Sequence, residues 1–132
     1  LYMVCNLIDK GEIPLISKEA AVTTYIASLV RSVRFGAADA HGRANMMCYN
    51  FLKENGAFER NKNGLYHVNF DKVATVVSNW AELILTTQAT GNYMFAKEYE
   101  VNHAVVPEAL SADIANVNRG GVPVDIRFEF VW

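Results

Sequence analysis

Asn69-Phe70-Asp71-Lys72-Val73-Ala74-Thr75-Val76-Val77-Ser78-Asn79-Trp80-Ala81-Glu82-Leu83-Ile84-Leu85 decides the fold class. Phe70, Val73, Ala74, Val77, Trp80, Ala81, Ile84 and Leu85 recur at steps of three and four, which places them on one side of a helix. Asn69 is a favoured N-cap residue, and Gly91 stands where a helix ends. The pattern predicts a strongly apolar helix over about 70–89. Downstream, Asn92 can cap a helix over about 93–103. Pro107 then suits the first position of a last helix that stops at Gly120-Gly121. From Val122 onward the residues alternate as in a strand.

Upstream the same period returns. Val22, Ile26, Leu29, Val30 and Val33 form a stripe over 18–34, with Ser17 as N-cap and Glu19 in the first turn. Ala40, Ala44, Met47, Cys48, Phe51 and Leu52 predict a helix over about 38–54, followed by Gly56 as a C-terminal stop. Leu1 to Asp9 reads as the end of a helix stopped by Gly11 and Pro14. Between the helices, Ala57-Phe58-Glu59-Arg60 and Leu65-Tyr66-His67-Val68 flank Asn61-Lys62-Asn63-Gly64. Asn-Gly between two short runs is a hairpin signal, because both residues tolerate positive φ. The predicted fold is therefore mainly α, a bundle-like helical subdomain with one short β-hairpin and a C-terminal strand.

Composition agrees and narrows the function classes. The chain has 132 residues, 52% hydrophobic and 20% charged, with net charge −2. That is enough chain for one core, and the balance is opposite to that of a disordered segment. Residues 1–66 carry 8 Lys/Arg against 6 Asp/Glu, and residues 67–132 carry 4 against 8. Neither half has the basic footprint of a nucleic-acid binder, so no nucleic-acid partner is expected. No apolar run reaches the roughly 18 residues of a membrane span, and no basic-then-apolar signal segment is present. No membrane partner is expected either. Leu1 falls inside an apolar helical stretch and Trp132 inside a strand-like run. The chain, 1–132, is thus expected to be a single domain that is a piece of something longer, with self-association of the piece as a possible consequence. Cys5 and Cys48 lie in helical apolar contexts with no metal-type spacing. They read as two free thiols in a reducing compartment, with a disulfide as the alternative. The free thiols and the missing signal point to the cytoplasm.

No GxGxxG, P-loop or GxSxG occurs. His41, His67 and His103 are too far apart for a local zinc pair. His67 reads as an exposed hairpin residue and His103 as a cation suited to a helix C-terminus. His41 differs in context. It sits in Phe35-Gly36-Ala37-Ala38-Asp39-Ala40-His41-Gly42-Arg43-Ala44-Asn45, where His41, Asn45 and Cys48 share a helical face. Gly42 costs a helix about 1 kcal/mol against Ala. It therefore marks a close approach by another chain segment or a ligand. Two readings stay open: a helix-packing Gly beside a structural histidine, or a histidine presented to a ligand. Likewise Arg31, Arg34 and Arg43 could gather at a helix corner to bind a carboxylate, or serve as ordinary salt-bridge residues with Asp39 as a partner.

Arg31-Ser32-Val33-Arg34-Phe35-Gly36, Ala40-His41-Gly42-Arg43-Ala44-Asn45, Asn50-Phe51-Leu52 and Lys53-Glu54-Asn55-Gly56-Ala57-Phe58 together resemble the dipeptidyl-peptidase III family of zinc metallopeptidases, especially its bacterial members. The resemblance extends to Leu1-Tyr2-Met3, to Leu7-Ile8-Asp9-Lys10-Gly11-Glu12-Ile13-Pro14 and to Asn118-Arg119-Gly120-Gly121-Val122-Pro123-Val124-Asp125-Ile126, in the family's order. It implies the C-terminal part of the helical, zinc-bearing lobe of an enzyme that removes N-terminal dipeptides from short peptides. In that family the zinc is held by H-E-x-x-G-H and a later E-E-x-x-A-D segment. Neither occurs in this chain, and the second would end just before Leu1. The resemblance thus implies zinc in the parent enzyme, none bound by this chain alone, and no activity of the chain alone. It implies as partners the rest of the parent chain and a short peptide substrate. It places His41 where the family has a cleft histidine that stabilises the substrate carbonyl as it becomes an oxyanion. Arg43 and Asn45 are the candidate substrate-binding residues, Asn45 standing where animal-type members have an arginine. The alternative is a non-catalytic helical interaction or binding module.

Overall fold

The computed structural model describes residues 1–121, the Phe35 side chain excepted. Among these residues are six α-helices and one two-stranded sheet: α1 (Tyr2–Asp9), α2 (Lys18–Ser32), α3 (Ala40–Glu54), β1 (Phe58–Arg60), β2 (Tyr66–Val68), α4 (Phe70–Thr90), α5 (Tyr93–His103) and α6 (Glu108–Arg119). The fold is mainly α. The strand expected from Val122 onward lies outside the described residues.

The helix starts follow from their caps. The Ala20 backbone N–H donates to Ser17 Oγ at 3.1 Å, Lys72 N–H to Asn69 Oδ1 at 3.2 Å, and Phe95 N–H to Asn92 Oδ1 at 3.1 Å. Each satisfies one of the N–H groups that a first turn leaves without a helical partner. Pro107 takes the N-cap position of α6 instead of its first helical one. The helix predicted over 18–34 ends at Ser32, and Val33–Phe35 tighten into a 3-10 turn before Gly36 at φ 91°.

The hairpin forms where expected. Phe58 pairs with Val68, Glu59 with His67 and Arg60 with Tyr66, antiparallel. Its turn is closed by Asn61, whose Oδ1 accepts from Asn63 N at 2.9 Å and Leu65 N at 3.0 Å. Only Gly64 of the Asn-Gly pair adopts positive φ, at 81°. Asn63 does not, because the Asn61 side chain already turns the chain.

The core forms where α2, α3, α4, α6 and β1 meet. Leu29, Met46, Tyr49, Leu52, Phe58 and Leu110 are its largest fully buried side chains. The α2 stripe is as expected, with Val22, Ile26, Leu29 and Val33 buried and Val30 partly so. On α3 the expected stripe differs. Ala40 and Ala44 are exposed, while Met46, Tyr49 and Asn50 are buried beside Cys48 and Leu52. The reason is that α3 packs on several sides, against α2, α4, α5 and β1. A helix surrounded by neighbours has no single apolar stripe for the period to report. On α4 the core is shorter than the pattern and its face is turned, since Ala74 of the expected stripe is exposed and Val76, outside it, is buried. Val73, Val76 and Val77 are buried, whereas Phe70, Ile84 and Leu85 are exposed.

Asn50 is the one buried polar side chain of the described core. Its Nδ2 donates to the carbonyls of His103 and Val105, both at 2.8 Å, and so ties α3 to the link between α5 and α6.

Candidate functional site

The site is built on the first turn of α3. Asp39 caps it, its Oδ1 accepting the Gly42 backbone N–H at 2.8 Å. That backbone N–H holds the Asp39 carboxyl below the usual carboxylate range, so the cap stays an anion. The close approach that Gly42 signalled comes from the chain itself. A Cβ at this position would lie 2.5 Å from the Gly36 carbonyl oxygen and 2.8 Å from the Ala37 Cα. Glycine therefore lets the 36–37 backbone lie directly on the helix and fixes the turn that carries His41.

His41 is exposed. It lines an open cleft of about 570 Å³ between α2 and the start of α3, together with Tyr25, Ser28, Arg31, Ser32, Asp39 and Asn45. Several polar groups here are already committed. The Ser28 hydroxyl donates to the Tyr25 carbonyl at 2.6 Å and the Ser32 hydroxyl to the Leu29 carbonyl at 2.8 Å. The Tyr25 hydroxyl lies 3.3 Å from Cys48 Sγ, and burial pushes both groups up, so both stay protonated. By contrast, no hydrogen bond is formed by the side chains of His41, Asn45 or Arg31 among the described residues. These three are the donors left to a ligand. The cleft thus offers an imidazole and a carboxamide from α3 and a guanidinium from α2, with one carboxylate nearby.

The structure brings His41 and Asn45 together and places Arg43 elsewhere. Arg43 Nε meets Glu100 Oε1 of α5 at 2.5 Å, and its Nη1 donates to the Ala38 carbonyl. It anchors the 36–39 segment from the side away from the cleft. The arginine corner also divides. Arg34 bonds Asn118 Oδ1 through Nε at 3.3 Å and Nη2 at 3.0 Å, while Arg31 faces the cleft. Tyr25, Ser28 and Ser32 line the cleft although no motif in the sequence singled them out. The available signal was their spacing with Arg31, at three- and four-residue steps on one side of α2.

Several other titratable groups have local partners. His103 stacks on Tyr99 with ring centroids 3.9 Å apart, and its Nδ1 lies 3.0 Å from the Tyr99 carbonyl oxygen. His67 is exposed, its Nε2 3.2 Å from Asn61 Nδ2. Arg60 forms two 2.7 Å bonds to Asp113, through Nε to Oδ2 and through Nη2 to Oδ1. The Tyr66 hydroxyl donates to the same Oδ2 at 2.7 Å. Cys5 and Cys48 are both free, and Cys48 is buried. A separate groove of about 430 Å³ between α1, α2 and α4 is walled by Tyr2, Val22, Phe70, Val73 and Val77. The Lys18–Asp9 pair at its rim is closed on itself at 2.7 Å. Among the described residues no group of three or more His, Cys, Asp or Glu could hold a metal ion. No helix among them is long and apolar enough to cross a membrane.

No family model matches the chain. Nudix hydrolase 3 of Arabidopsis thaliana is 32% identical to it over 130 residues. The chain is matched over 98% of its own length and spans 17% of that curated relative. The solved structure of DPP III from Caldithrix abyssi superposes with a TM-score of 0.84 at 34% identity, covering 95% of this chain and 24% of that one. Dipeptidyl-peptidase III from Corallococcus sp. strain EGB superposes at 0.86 with 29% identity, covering 96% and 23%. The fold of this chain is that of a segment of these dipeptidyl-peptidase III structures, about a quarter of their length.

Proposed function

We propose that this chain is the C-terminal part of the helical lobe of a dipeptidyl-peptidase III-like metallopeptidase, where it supplies one wall of the peptide cleft and a carbonyl-polarising histidine. The fold match at 34% identity over 95% of the chain carries this reading. The role assigned here stays with the chain's own residues, because its described residues form no metal-holding group. A scissile carbonyl oxygen gains negative charge as the carbon becomes tetrahedral. A fixed imidazole N–H aimed at that oxygen bonds it more strongly in the transition state than in the ground state, and this difference is what accelerates the step. His41 suits the task because the Asp39 cap and the Gly42–Gly36 contact fix its helical turn, while its ring has no competing partner among the described residues. Asn45, one turn on, offers a second neutral donor or acceptor to the peptide backbone.

The test is His41→Ala in the longer polypeptide that carries this chain, followed by release of dipeptides from a short peptide. Loss of one such donor lowers kcat about 10²- to 10³-fold, with the zinc content unchanged. A normal kcat removes His41 from the mechanism. The 132-residue chain by itself is expected to release no dipeptides and to bind no zinc tightly. One equivalent of zinc bound with low-micromolar affinity would overturn that expectation.

The Arabidopsis thaliana relative supports a second reading. It bears the name of a different hydrolase, yet it matches 98% of this chain. In that reading the segment is a helical binding module within a polypeptide of another activity. The sequence preceding Leu1 separates the two. An E-E-x-x-A-D segment there, with H-E-x-x-G-H further back, supports the peptidase, and their absence supports the module.

A further inference from the structure

The described arginines differ in one respect. Arg43 is paired with Glu100 and Arg60 with Asp113. Arg34 bonds Asn118, and Arg119 bonds Asn116. Arg31 alone among them has no hydrogen-bond or ion-pair partner within the described residues. It is exposed, and it lines both the His41 cleft and an adjoining groove of about 600 Å³ that runs past Arg34 and Arg60. Asp39 shares the cleft but lies beyond ion-pair distance and is held by the Gly42 N–H. The nearby Ser28 and Ser32 hydroxyls give their protons to their own helix.

We propose that Arg31 is the specificity residue of this cleft, recognising a carboxylate on the ligand that His41 and Asn45 engage. The planar guanidinium fork matches a carboxylate in bidentate geometry. The Asp39 anion in the same cleft favours a singly charged carboxylate over a doubly charged phosphate, since repulsion grows with ligand charge. A second duty of Arg31, complementing the dipole at the C-terminal turn of α2, needs only its charge and not its fork. That difference makes the two duties separable. This proposal rests on the cleft's being a peptide site, as argued above.

The experiment uses the longer polypeptide and calorimetric titration with N-acetyl-tetraalanine, which a dipeptidyl peptidase cannot trim from its blocked N-terminus. The probe is used as the free acid and as the C-terminal amide, with a third peptide amide carrying one Glu side chain. The free acid is expected to bind about tenfold or more tightly than its amide, as a charge-assisted pair should. Arg31→Gln abolishes that difference and leaves amide binding unchanged, and Arg31→Lys keeps part of it. Tight binding of the Glu-bearing amide assigns the recognised carboxylate to a side chain, and weak binding assigns it to the terminus. Equal affinity for all three peptides, a carboxylate preference that survives Arg31→Gln, or no binding of either carboxylate-bearing peptide at millimolar concentration each overturns the proposal. The outcomes separate from those of the peptidase reading. An Arg31-dependent preference without any dipeptide release leaves this proposal standing and removes that one. His41-dependent release without an acid preference does the reverse.

Discussion

Two regions of this molecule use nearly the same residue types in opposite states. At the corner between the hairpin and α6, Arg60, Tyr66 and Asp113 close on one another through three 2.7 Å bonds, with the Tyr49 hydroxyl 3.4 Å from that of Tyr66. In the cleft between α2 and α3, Arg31, Tyr25, Asp39 and His41 line a common space, yet Arg31 and His41 use no side-chain hydrogen bond among the described residues. The corner has spent its polar capacity on holding β2 and β1 to α6. The cleft has kept its capacity for something else. Residue type alone therefore says little about role, and the completeness of the partner set says more.

The largest expected contrast is between activity and stability. His41→Ala should lower kcat of the longer enzyme about 10²- to 10³-fold while leaving the urea unfolding midpoint of the protein in place. A midpoint that falls with activity would make His41 structural and erase the contrast. Gly42→Ala is the next in size. Its Cβ meets backbone atoms of residues 36 and 37 that cannot swing aside, so overpacking of about 1–3 kcal/mol outweighs the gain of about 1 kcal/mol in helix propensity. A more stable variant in denaturant titration would show that the 36–37 segment does not lie on α3.

Tyr66→Phe tests the closed corner. Losing the hydroxyl bond to Asp113 should cost about 0.5–1.5 kcal/mol by the same titration, and no cost at all would mean that the corner is not closed through Tyr66. The corner also carries a pH signature. Arg60 holds the Asp113 carboxyl below the usual range. Its contribution is fully present above the unfolded-state carboxylate pKa and is lost as pH falls through the lower folded value. Stability measured toward acid should therefore decline less steeply in Asp113→Asn than in the parent, and parallel curves would contradict the pairing. The smallest effect belongs to Arg31→Gln. With no partner to lose among the described residues, it should change stability by no more than about 0.5 kcal/mol. A drop as large as that of Tyr66→Phe would place Arg31 with the structural arginines.

Much of the fold was legible in the sequence because its signals are local. Ser17, Asn69 and Asn92 start helices with their own side-chain oxygens, and Gly56, Gly64 and Gly91 supply positive φ where turns require it. Such effects act within four or five residues and need no tertiary partner. The α3 stripe was misread because burial on several sides leaves no single period. The α4 stripe ran past the core because an apolar pattern reports what can be buried, not what is. Of the cleft, the shared helical face of His41 and Asn45 and the close approach at Gly42 were readable. The identity of the approaching segment was not, nor was the side on which each arginine lies.

The sequence by itself determined the helices, their caps, the hairpin and the mainly α class, since backbone preference and capping are set by near neighbours. Only the tertiary structure decided which polar side chains are spent. Arg43 finds Glu100 and Arg60 finds Asp113 across separations of 57 and 53 residues, while Arg31 finds no partner among the described residues. A charged side chain's role depends on what the fold carries to within about 3 Å of it, and no local pattern encodes that distance.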